Sequence, residues 1–285
     1  MVEVDSKNLT KEKMLELHNE KLEERLKLQE MLLLNISHDL RNPINVILSI
    51  IQCMECKFNN ELNERDAKEK EYAYLIKRNS YKMIKLIDNL IDTTKLEGNY
   101  YKLNKCNVDI ISLVEGTVTS IDGYAQQKDI QLVFDTNVEE CILAVDPQDI
   151  DRIVMNLLSN AIKFSPKGSH ILIDILSRDQ SVKISVTDEG PGIPIEEQKL
   201  IFNRFVQATS NKKDEYSGSG IGLDLVSYLI KAHEGTIDLI SNEGKGSRFT
   251  VTLPKYKLDK ENKDCEFIKK DKVQQLEIEF SDIYL

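Results

Sequence analysis

The chain has 285 residues and a formal net charge of −10, from 38 Lys and Arg against 48 Asp and Glu. Broad nucleic-acid binding needs a basic face, so this acidic balance argues against a nucleic-acid partner. Hydrophobic residues make up 41% and charged residues 30%, which is typical of a soluble globular chain long enough for two domains. No run approaches the roughly 18 apolar residues of a membrane span. We therefore expect no membrane contact within this chain.

The five cysteines are odd in number, scattered along the chain and accompanied by no secretory signal. This pattern predicts reduced thiols and a cytoplasmic location, either as a free protein or as the cytosolic part of a membrane-bound sensor. Cys53 and Cys56 form a C-x-x-C within a helical pattern, with no second Cys or His pair nearby. That spacing alone does not predict a metal or redox site.

A heptad pattern runs along the first part of the chain, because positions alternately four and three residues apart are mostly apolar. These positions are Leu15, Asn19, Leu22, Leu26, Gln29, Leu33, Ile36 and Leu40. The spacing is typical of a coiled coil, and it predicts a coiled-coil signalling helix over residues 1–30 and a homodimer. The alternative is an amphipathic helix that packs on its own protein.

A helical hairpin is predicted over residues 31–97. Pro43 removes the hydrogen bond to the carbonyl of Asp39 and is predicted to kink the first helix. Residues 57–63 are polar and are predicted to form the loop, after which apolar positions from Ile76 onwards again repeat every four and three residues. Two such hairpins from two chains would form a dimeric four-helix bundle.

A linker is predicted over residues 98–107, followed by an α+β sandwich over residues 108–254 with one sheet and one helical layer. Helices are predicted at residues 110–124, 147–163 and 221–234, and strands at 131–135, 141–145, 171–176, 182–187, 236–240 and 247–253. The remaining residues, 255–285, form a charged tail. Its apolar positions predict an amphipathic strand that docks on the protein: Val273, Leu276, Ile278 and Phe280.

Two glycine clusters lie in the predicted sandwich, one at residues 188–193 after a strand and one at residues 218–222 before a helix. Glycines let backbone approach a phosphate, and a helix N-terminus offers unpaired N–H groups and a positive dipole end. The second cluster is therefore a phosphate cradle in one interpretation and a simple turn in the other. It fits neither the dinucleotide fingerprint nor the P-loop, since it lacks a βαβ unit and a G-K-[ST] ending.

Asn156 and Asn160 lie four residues apart and share one face of a predicted helix, with Lys163 three residues further on. An amide oxygen is a suitable ligand for Mg²⁺ beside a nucleotide phosphate, and the lysine could reach the phosphates. The alternative is a pair of buried amides that cap neighbouring backbone.

His38 is followed directly by Asp39, and Asn42 lies one helical turn after the histidine. A neutral imidazole has one nucleophilic nitrogen, and a carboxylate bonded to the other nitrogen fixes the tautomer and raises its basicity. Asp39 is the obvious carboxylate. The alternative is a surface or packing histidine without a chemical role.

Taken together and in this order, these motifs resemble the sensor histidine kinases of two-component signalling over residues 31–254. Residues 35–43 resemble the phosphoacceptor box, residues 156–166 the N box, residues 188–193 and 218–223 the two glycine boxes, residues 202–205 the phenylalanine box, and residues 244–249 the final glycine segment. The resemblance implies ATP and Mg²⁺ as cofactors. It implies a homodimer and the receiver domain of a response regulator as partners.

The resemblance also implies roles for the matched residues. His38 would be the phosphorylated nucleophile and Asp39 its acid/base, while Asn42 would position the water that dephosphorylates the partner. Asn160 would hold Mg²⁺ and Asp188 would accept a hydrogen bond from the adenine amino group. The other implied nucleotide-site residues are Asn156, Lys163, Gly190, Gly192, Phe205, Gly218, Gly220, Gly222 and Leu223.

One departure from the family pattern follows the phenylalanine box. Many relatives carry Tyr and Arg there, whereas this chain has Val206 and Gln207. A cation near the γ-phosphate would stabilise developing charge, so Lys212 or Lys213 of the lid implied at residues 206–217 is the expected substitute.

Three other functions remain open at this point. Conformational ATPases of the same superfamily share the asparagine and glycine boxes but lack a His-Asp-x-x-Asn helix in a hairpin. A non-catalytic dimeric scaffold would not need intact nucleotide motifs. A protein-serine kinase on the same ATP-binding fold is the third.

Overall fold

The computed structural model describes residues 40, 42–47, 49–50, 65–97, 101, 103–204, 206, 220–259 and 272–281. The chain divides into two compact units, residues 1–76 and 77–285. The coiled coil predicted over residues 1–30 lies outside the described residues, as do His38 and Asp39.

In the first unit, the described part of the predicted hairpin is helical at residues 42–47 and 49–50. Asn42 is exposed there and Pro43 is buried. The long helix α1, Arg65–Glu97, begins in this unit and continues into the second. The second helix of the predicted hairpin is thus confirmed as a helix, while the kink at Pro43 stays a prediction.

The second unit contains two sheets. Their strands are β1 (Cys106–Asp109), β2 (Gln131–Thr136), β3 (Ile142–Val145), β4 (His170–Ser177), β5 (Ser181–Asp188), β6 (Thr236–Ser241) and β7 (Ser247–Pro254). β1 and β3 pair antiparallel, with Cys106 opposite Val145. The larger sheet has the order β2-β4-β5-β7-β6, in which β2 and β4 are parallel and the other pairs antiparallel. β1 begins inside the stretch that the sequence pattern assigns to the linker over residues 98–107.

Three helices pack with the larger sheet around one core: α2 (Ile110–Gln127), α3 (Pro147–Phe164) and α4 (Gly222–Ala232). Two aspartates start α2 and α3. Asp109 accepts hydrogen bonds from the backbone N–H groups of Ile111 and Ser112, and Asp146 accepts one from that of Gln148. These caps satisfy N–H groups that a helix leaves unpaired, and each is worth about 1 kcal/mol.

The core forms because one face of the sheet and one face of each helix are apolar. Ile171, Ile173 and Ile175 alternate along β4 and are all fully buried, as the two-residue period of a strand requires. Ile153 and Leu157 of α3 are four residues apart and buried at 1% and 2% exposure. Burying each such side chain contributes about 1.5–3 kcal/mol. The predicted α+β sandwich is therefore confirmed.

The C-terminal tail differs from its prediction, because residues Lys272–Glu279 form a helix, α5, and not a strand. Leu276 and Phe280 lie four residues apart and are buried at 6% and 0% exposure, so they occupy one face of the helix. The Phe280 ring centroid lies 4.8 Å from that of Tyr124 on α2. The alternation of Leu276, Ile278 and Phe280 fits a strand equally well, and a pattern this short does not separate the two structures.

Within the described residues, Cys141 is a buried free thiol, whereas Cys106 takes part in a disulfide bond. Cys106 thus departs from the expectation of reduced thiols. The same residues contain no group of His, Cys, Asp and Glu side chains arranged to hold a metal ion. None of the helices they form is both long enough and apolar enough to cross a membrane.

A buried histidine joins the end of α4 to the start of α3. His233 is 2% exposed, and its Nε2 accepts a hydrogen bond of 3.0 Å from the backbone N–H of Asp146. Its Nδ1 lies 2.8 Å from the carbonyl oxygen of Leu229 and therefore donates to it. Burial lowers the pKa of His233, because a charged imidazolium would be dehydrated and would lose Nε2 as an acceptor.

This histidine predicts a loss of stability in mild acid. The unfolded chain protonates its histidine near the ordinary pKa of 6.5, whereas the folded chain does so only at lower pH. As pH falls below that value the unfolded state binds more protons, so the free energy of unfolding decreases until the folded pKa is passed. Denaturant titrations at about pH 7 and about pH 5 should show a larger loss for the wild type than for His233→Gln. An equal loss in both proteins would contradict this role.

Candidate functional site

The site is built around a buried carboxylate at the end of β5. Asp188 is 8% exposed, and its Oδ1 accepts hydrogen bonds from the backbone N–H groups of Gly190 at 2.9 Å and Ser247 at 3.2 Å. Burial raises the pKa of Asp188, and these two hydrogen bonds oppose that rise. Oδ2 has no hydrogen-bond partner within the described part of the chain. This oxygen remains able to accept one from a ligand.

Glycines allow backbone to close tightly around Asp188. A Cβ on Gly246, where φ is +80°, would lie 1.9 Å from the carbonyl oxygen of Asp188, and one on Gly192, where φ is +71°, would lie 2.0 Å from that of Asn242. Gly192 is therefore needed for contact with the turn between β6 and β7, whereas the family resemblance implies a place for it in the nucleotide site. Gly246 was not among the predicted site residues, although Gly244 and Gly246 give a G-x-G signal in the sequence.

Polar side chains fasten this loop to the sheet. The hydroxyl of Ser241 accepts a hydrogen bond of 2.9 Å from the backbone N–H of Ile193 and donates one of 2.9 Å to the carbonyl oxygen of Gly246. The amide of Gln198 donates to the carbonyl oxygens of Ile193 and Ser241, both at 3.0 Å. Sequence reasoning missed Ser241 and Gln198, because a single Ser or Gln carries no motif. The loop after Asp188 is therefore held in place before any ligand arrives.

The paired amides lie on α3. Asn156 and Asn160 are both half-buried, and Nδ2 of Asn160 donates a hydrogen bond of 3.3 Å to Oδ1 of Asn156. They bond to each other, and no hydrogen bond to backbone is found for either within the described residues, which disfavours the backbone-capping alternative. The carbonyl oxygen of Asn160 is left as a hard ligand suited to a cation such as Mg²⁺. Lys163 is 5% exposed, and its Nζ lies 5.3 Å from the centroid of the Phe164 ring.

The second glycine cluster meets these amides. A Cβ on Gly222 would lie 2.5 Å from Nδ2 of Asn156, so only glycine lets the start of α4 approach α3 this closely. Ile221 is the N-cap residue of α4 and provides no side-chain hydrogen bond. Gly220 precedes it with φ of +67°. No capping side chain therefore occupies the N–H groups in the first turn of α4, which lies next to Asn156. A helix end of this kind attracts anions.

An ion pair links the phenylalanine-box segment to α4. Nε of Arg204 lies 2.7 Å from Oδ2 of Asp224, and the ring of Phe202 packs edge-on against Phe249 with centroids 6.4 Å apart. Neither contact was predicted from the sequence, because each joins residues far apart in the chain. Arg204 therefore helps to fix the position of the helix end that faces the amides.

The structure brings most of the predicted ATP-site residues together. A Cβ on Gly190 would lie 3.2 Å from the carbonyl oxygen of Phe164, so the end of α3 touches the loop that follows Asp188. Leu223 is partly buried against the core, which indicates packing more than ligand contact. Phe205 and Gly218 lie outside the described residues, as do Gln207, Lys212 and Lys213.

Two family profiles match the chain. Residues 28–99 match the family described as the His Kinase A (phospho-acceptor) domain. Residues 145–257 match the family described as histidine kinase-, DNA gyrase B-, and HSP90-like ATPase. The second match contains the buried carboxylate, the paired amides and both glycine loops.

Curated relatives cover both regions. The chain is 32% identical over 238 residues to the adaptive-response sensory kinase SasA of Synechococcus sp. (strain JA-3-3Ab), a match that spans 83% of this chain and 62% of SasA. It is 29% identical over 232 residues to the sensor histidine kinase WalK of Bacillus subtilis (strain 168), spanning 80% of this chain and 37% of WalK. The chain thus spans less than two thirds of the length of these relatives.

Solved structures share the fold. The histidine kinase AdeS of Acinetobacter baumannii superposes with a TM-score of 0.58 at 22% identity, covering 76% of this chain and 98% of that chain. The histidine kinase ThkA, solved in complex with the response regulator protein TrrA, superposes with a TM-score of 0.62 at 23% identity, covering 82% of this chain and 64% of that chain.

The α+β sandwich with a buried carboxylate, paired amides and glycine loops is an ATPase domain of the histidine kinase, gyrase and chaperone type. A phospho-acceptor region precedes it in the same chain. The chain therefore belongs to the sensor histidine kinases.

The contact between Gly222 and Asn156 predicts an effect on ATP affinity. An added methyl group in Gly222→Ala must displace the Asn156 amide or the start of α4, at a cost of about 1–3 kcal/mol, so the affinity should fall about tenfold or more. Gly123→Ala is the matched control, because a Cβ at that helical position meets no atom within 4 Å. The control should bind ATP normally and gain about 0.5–1 kcal/mol in stability.

Titration with a fluorescent ATP analogue measures both affinities, and thermal unfolding measures both stabilities. Equal affinity of Gly222→Ala and the wild type would show that this contact does not shape the site.

Proposed function

We propose that this chain is the catalytic core of a two-component sensor histidine kinase. It uses ATP with Mg²⁺ to phosphorylate His38 and passes the phosphoryl group to an aspartate in the receiver domain of a response regulator. The observation that carries the proposal is the buried Asp188, whose Oδ1 is fixed by two backbone N–H groups while Oδ2 stays available, in a chain that also matches the phospho-acceptor family.

Asp188 supports adenine as the base. Its Oδ2 can accept a hydrogen bond from the exocyclic amino group of adenine. Guanine carries a carbonyl oxygen at the corresponding position, and a carboxylate facing that oxygen would leave both acceptors unpaired in a buried site. Because Oδ1 is held by Gly190 and Ser247, the carboxylate cannot easily turn away to suit another base.

The phosphates are assigned to the region between α3 and the start of α4. The open first turn of α4 provides N–H groups and a positive dipole end, and Asn156 lies against Gly222 at that end. The Asn160 amide would hold Mg²⁺, which would neutralise phosphate charge. Lys163 and the glycines Gly218 and Gly220 are assigned to the same site from the family resemblance.

The acceptor chemistry is assigned from the sequence, because His38 and Asp39 lie outside the described residues. An unprotonated ring nitrogen of His38 attacks the γ-phosphorus, forming an N–P bond as the P–O bond to ADP breaks. Asp39 holds the proton on the other ring nitrogen and stabilises the imidazolium that forms. Catalysis on this scheme is chiefly the positioning of the two reactants. Dephosphorylation of the regulator by water that Asn42 positions stays a hypothesis, and so does a cationic role for Lys212 or Lys213.

A homodimer is supported by exposed apolar side chains on the helices of the phospho-acceptor region. Ile44 and Val46 are 39% and 41% exposed in the first unit. Ile87 of α1 is 41% exposed in the second. Large apolar side chains on helices that also carry heptad spacing favour burial against a second copy of the chain.

The leading alternatives are a conformational ATPase of the same superfamily and a dimeric scaffold that binds ATP without catalysis. The ATPase-domain match alone would allow either. The phospho-acceptor match over residues 28–99 favours the kinase, because neither alternative needs a phospho-acceptor helix.

Incubation of the purified chain with γ-labelled ATP and Mg²⁺ tests the proposal. The wild type should take up acid-labile, base-stable label, which is the behaviour of phosphohistidine. His38→Gln should take up none while its affinity for ATP stays unchanged, because His38 is the acceptor and no part of the ATP site. Label that persists in His38→Gln, or ATP binding without any label in the wild type, would contradict the kinase proposal.

A further inference from the structure

The C-terminal helix α5 has an apolar face that is seated on the ATPase domain. Phe280 and Leu276 are 0% and 6% exposed, and Phe280 stacks at 4.8 Å against Tyr124 of α2. Both side chains belong to the same core cluster as the sheet and its helices. Burying two large apolar side chains is a strong, non-directional attraction, so this face holds α5 on the domain.

The other side of α5 reaches the long helix α1. Glu277 lies 2.8 Å from Nζ of Lys77 and accepts a hydrogen bond of 2.7 Å from the hydroxyl of Tyr81. Lys85 donates a hydrogen bond of 2.7 Å to the backbone carbonyl oxygen of Glu279 and lies 3.4 Å from its carboxylate. Hydrogen bonds from Lys77 and Tyr81 lower the pKa of Glu277, so its carboxylate is charged at neutral pH.

These two contacts differ in strength. The side chains of Lys77 and Glu277 are 54% and 32% exposed, and such exposed ion pairs are weak and screened by salt. Those of Lys85 and Glu279 are 16% and 19% exposed, so this second pair is more shielded but still reaches water. The apolar face of α5 is closed to water. We therefore expect the ion pairs with α1 to break before the apolar contact does, so that α5 remains bound to the ATPase domain.

The connection between α1 and the ATPase domain is short. Beyond the end of α1 at Glu97, the chain is already fastened to the domain at Tyr101, whose hydroxyl donates to the carboxylate of Asp149 and whose ring packs edge-on against Tyr228. The backbone N–H of Asn104 then donates a hydrogen bond of 2.8 Å to the carboxylate of Asp146. The chain is thus in contact with the domain four residues after the end of α1, within the linker predicted over residues 98–107.

The contact between α5 and α1 lies far from the end of α1. Lys85 precedes Glu97 by about 12 residues, which is roughly 18 Å along the helix. A bond at that distance from the end of α1 resists a swing of the domain more effectively than a bond beside Glu97 would. Any swing of the domain relative to α1 must break the pairs at Glu277 and Glu279.

We propose that α5 is a releasable latch, which holds the ATPase domain against α1 in the resting kinase. It restrains autophosphorylation until the contacts of Glu277 and Glu279 with α1 break. The inference rests on the proposed function, since it assumes that the domain must move to deliver the γ-phosphoryl group to His38. The docking surface is the polar face of α1 defined by Lys77, Tyr81 and Lys85, and its occupant is α5 of the same chain.

Charge reversal in the full chain tests the latch. Glu277→Lys places a cation beside Lys77 and should raise the initial rate of label uptake from γ-labelled ATP about two- to tenfold, the range expected for loss of a weak exposed pair. The swapped pair Lys77→Glu with Glu277→Lys should return the rate towards the wild-type value. Glu139→Lys makes the same change at an exposed position that forms none of the contacts between α5 and α1, and it should leave the rate unchanged.

The outcomes separate the latch from the kinase proposal. An unchanged or slower rate in Glu277→Lys, or a swapped pair that does not restore the wild-type rate, overturns the latch. If no protein in the set takes up label, the proposed function fails, and small-angle scattering still tests the latch. Release should then enlarge the radius of gyration of Glu277→Lys but not of Glu139→Lys, and equal radii overturn the latch.

Discussion

The two hydrogen bonds that end on Oδ1 of Asp188 join the parts of the molecule that the site depends on. They connect the end of β5, the loop at Gly190 and the start of β7 at Ser247. A buried carboxylate costs free energy unless its oxygens are paired, so the loops must close on it for the fold to be stable. The same closure holds Oδ2 in a fixed place. One constraint thus serves both the fold and the base recognition that we propose for Asp188. Gly246 is required because no other residue fits beneath the Asp188 carbonyl.

Helix α3 packs firmly on the core and thereby fixes the position of the site residues that it carries. One of its faces is sealed against the sheet by side chains such as Ile153 and Leu157, while another presents Asn156 and Asn160. Its N-terminus is fixed through Asp146 to the buried His233, and its C-terminus touches Gly190. Side chains on a packed helix keep their positions without a ligand, which suits a reaction that depends chiefly on positioning. The ion pair of α5 with Lys77 is exposed to solvent, which is consistent with the latch that we propose.

The sandwich could be predicted from the sequence, and so could the residues proposed for the ATP site, because the patterns of both are local. Strands such as β4 repeat every two residues, and the asparagines lie one helical turn apart. The missed features depend on contacts between distant residues: Ser247 on Asp188, Ser241 on Ile193, and Arg204 with Asp224. The strand β1 was missed because it begins within the predicted linker. The helix α5 was predicted as a strand because its short apolar pattern fits both structures. The phosphoacceptor role that we propose for His38 rests on its sequence motif alone, since His38 lies outside the described residues.

Isothermal titration calorimetry of ATP and GTP against the wild type and Asp188→Asn tests the central claim, that this one buried carboxylate selects the base. The wild type should bind ATP at least about tenfold more tightly than GTP, because only adenine offers a donor to Oδ2. In Asp188→Asn the amide can donate as well as accept, so the preference for ATP should shrink markedly. An unchanged preference in Asp188→Asn would contradict the account and would assign base selection to another part of the site.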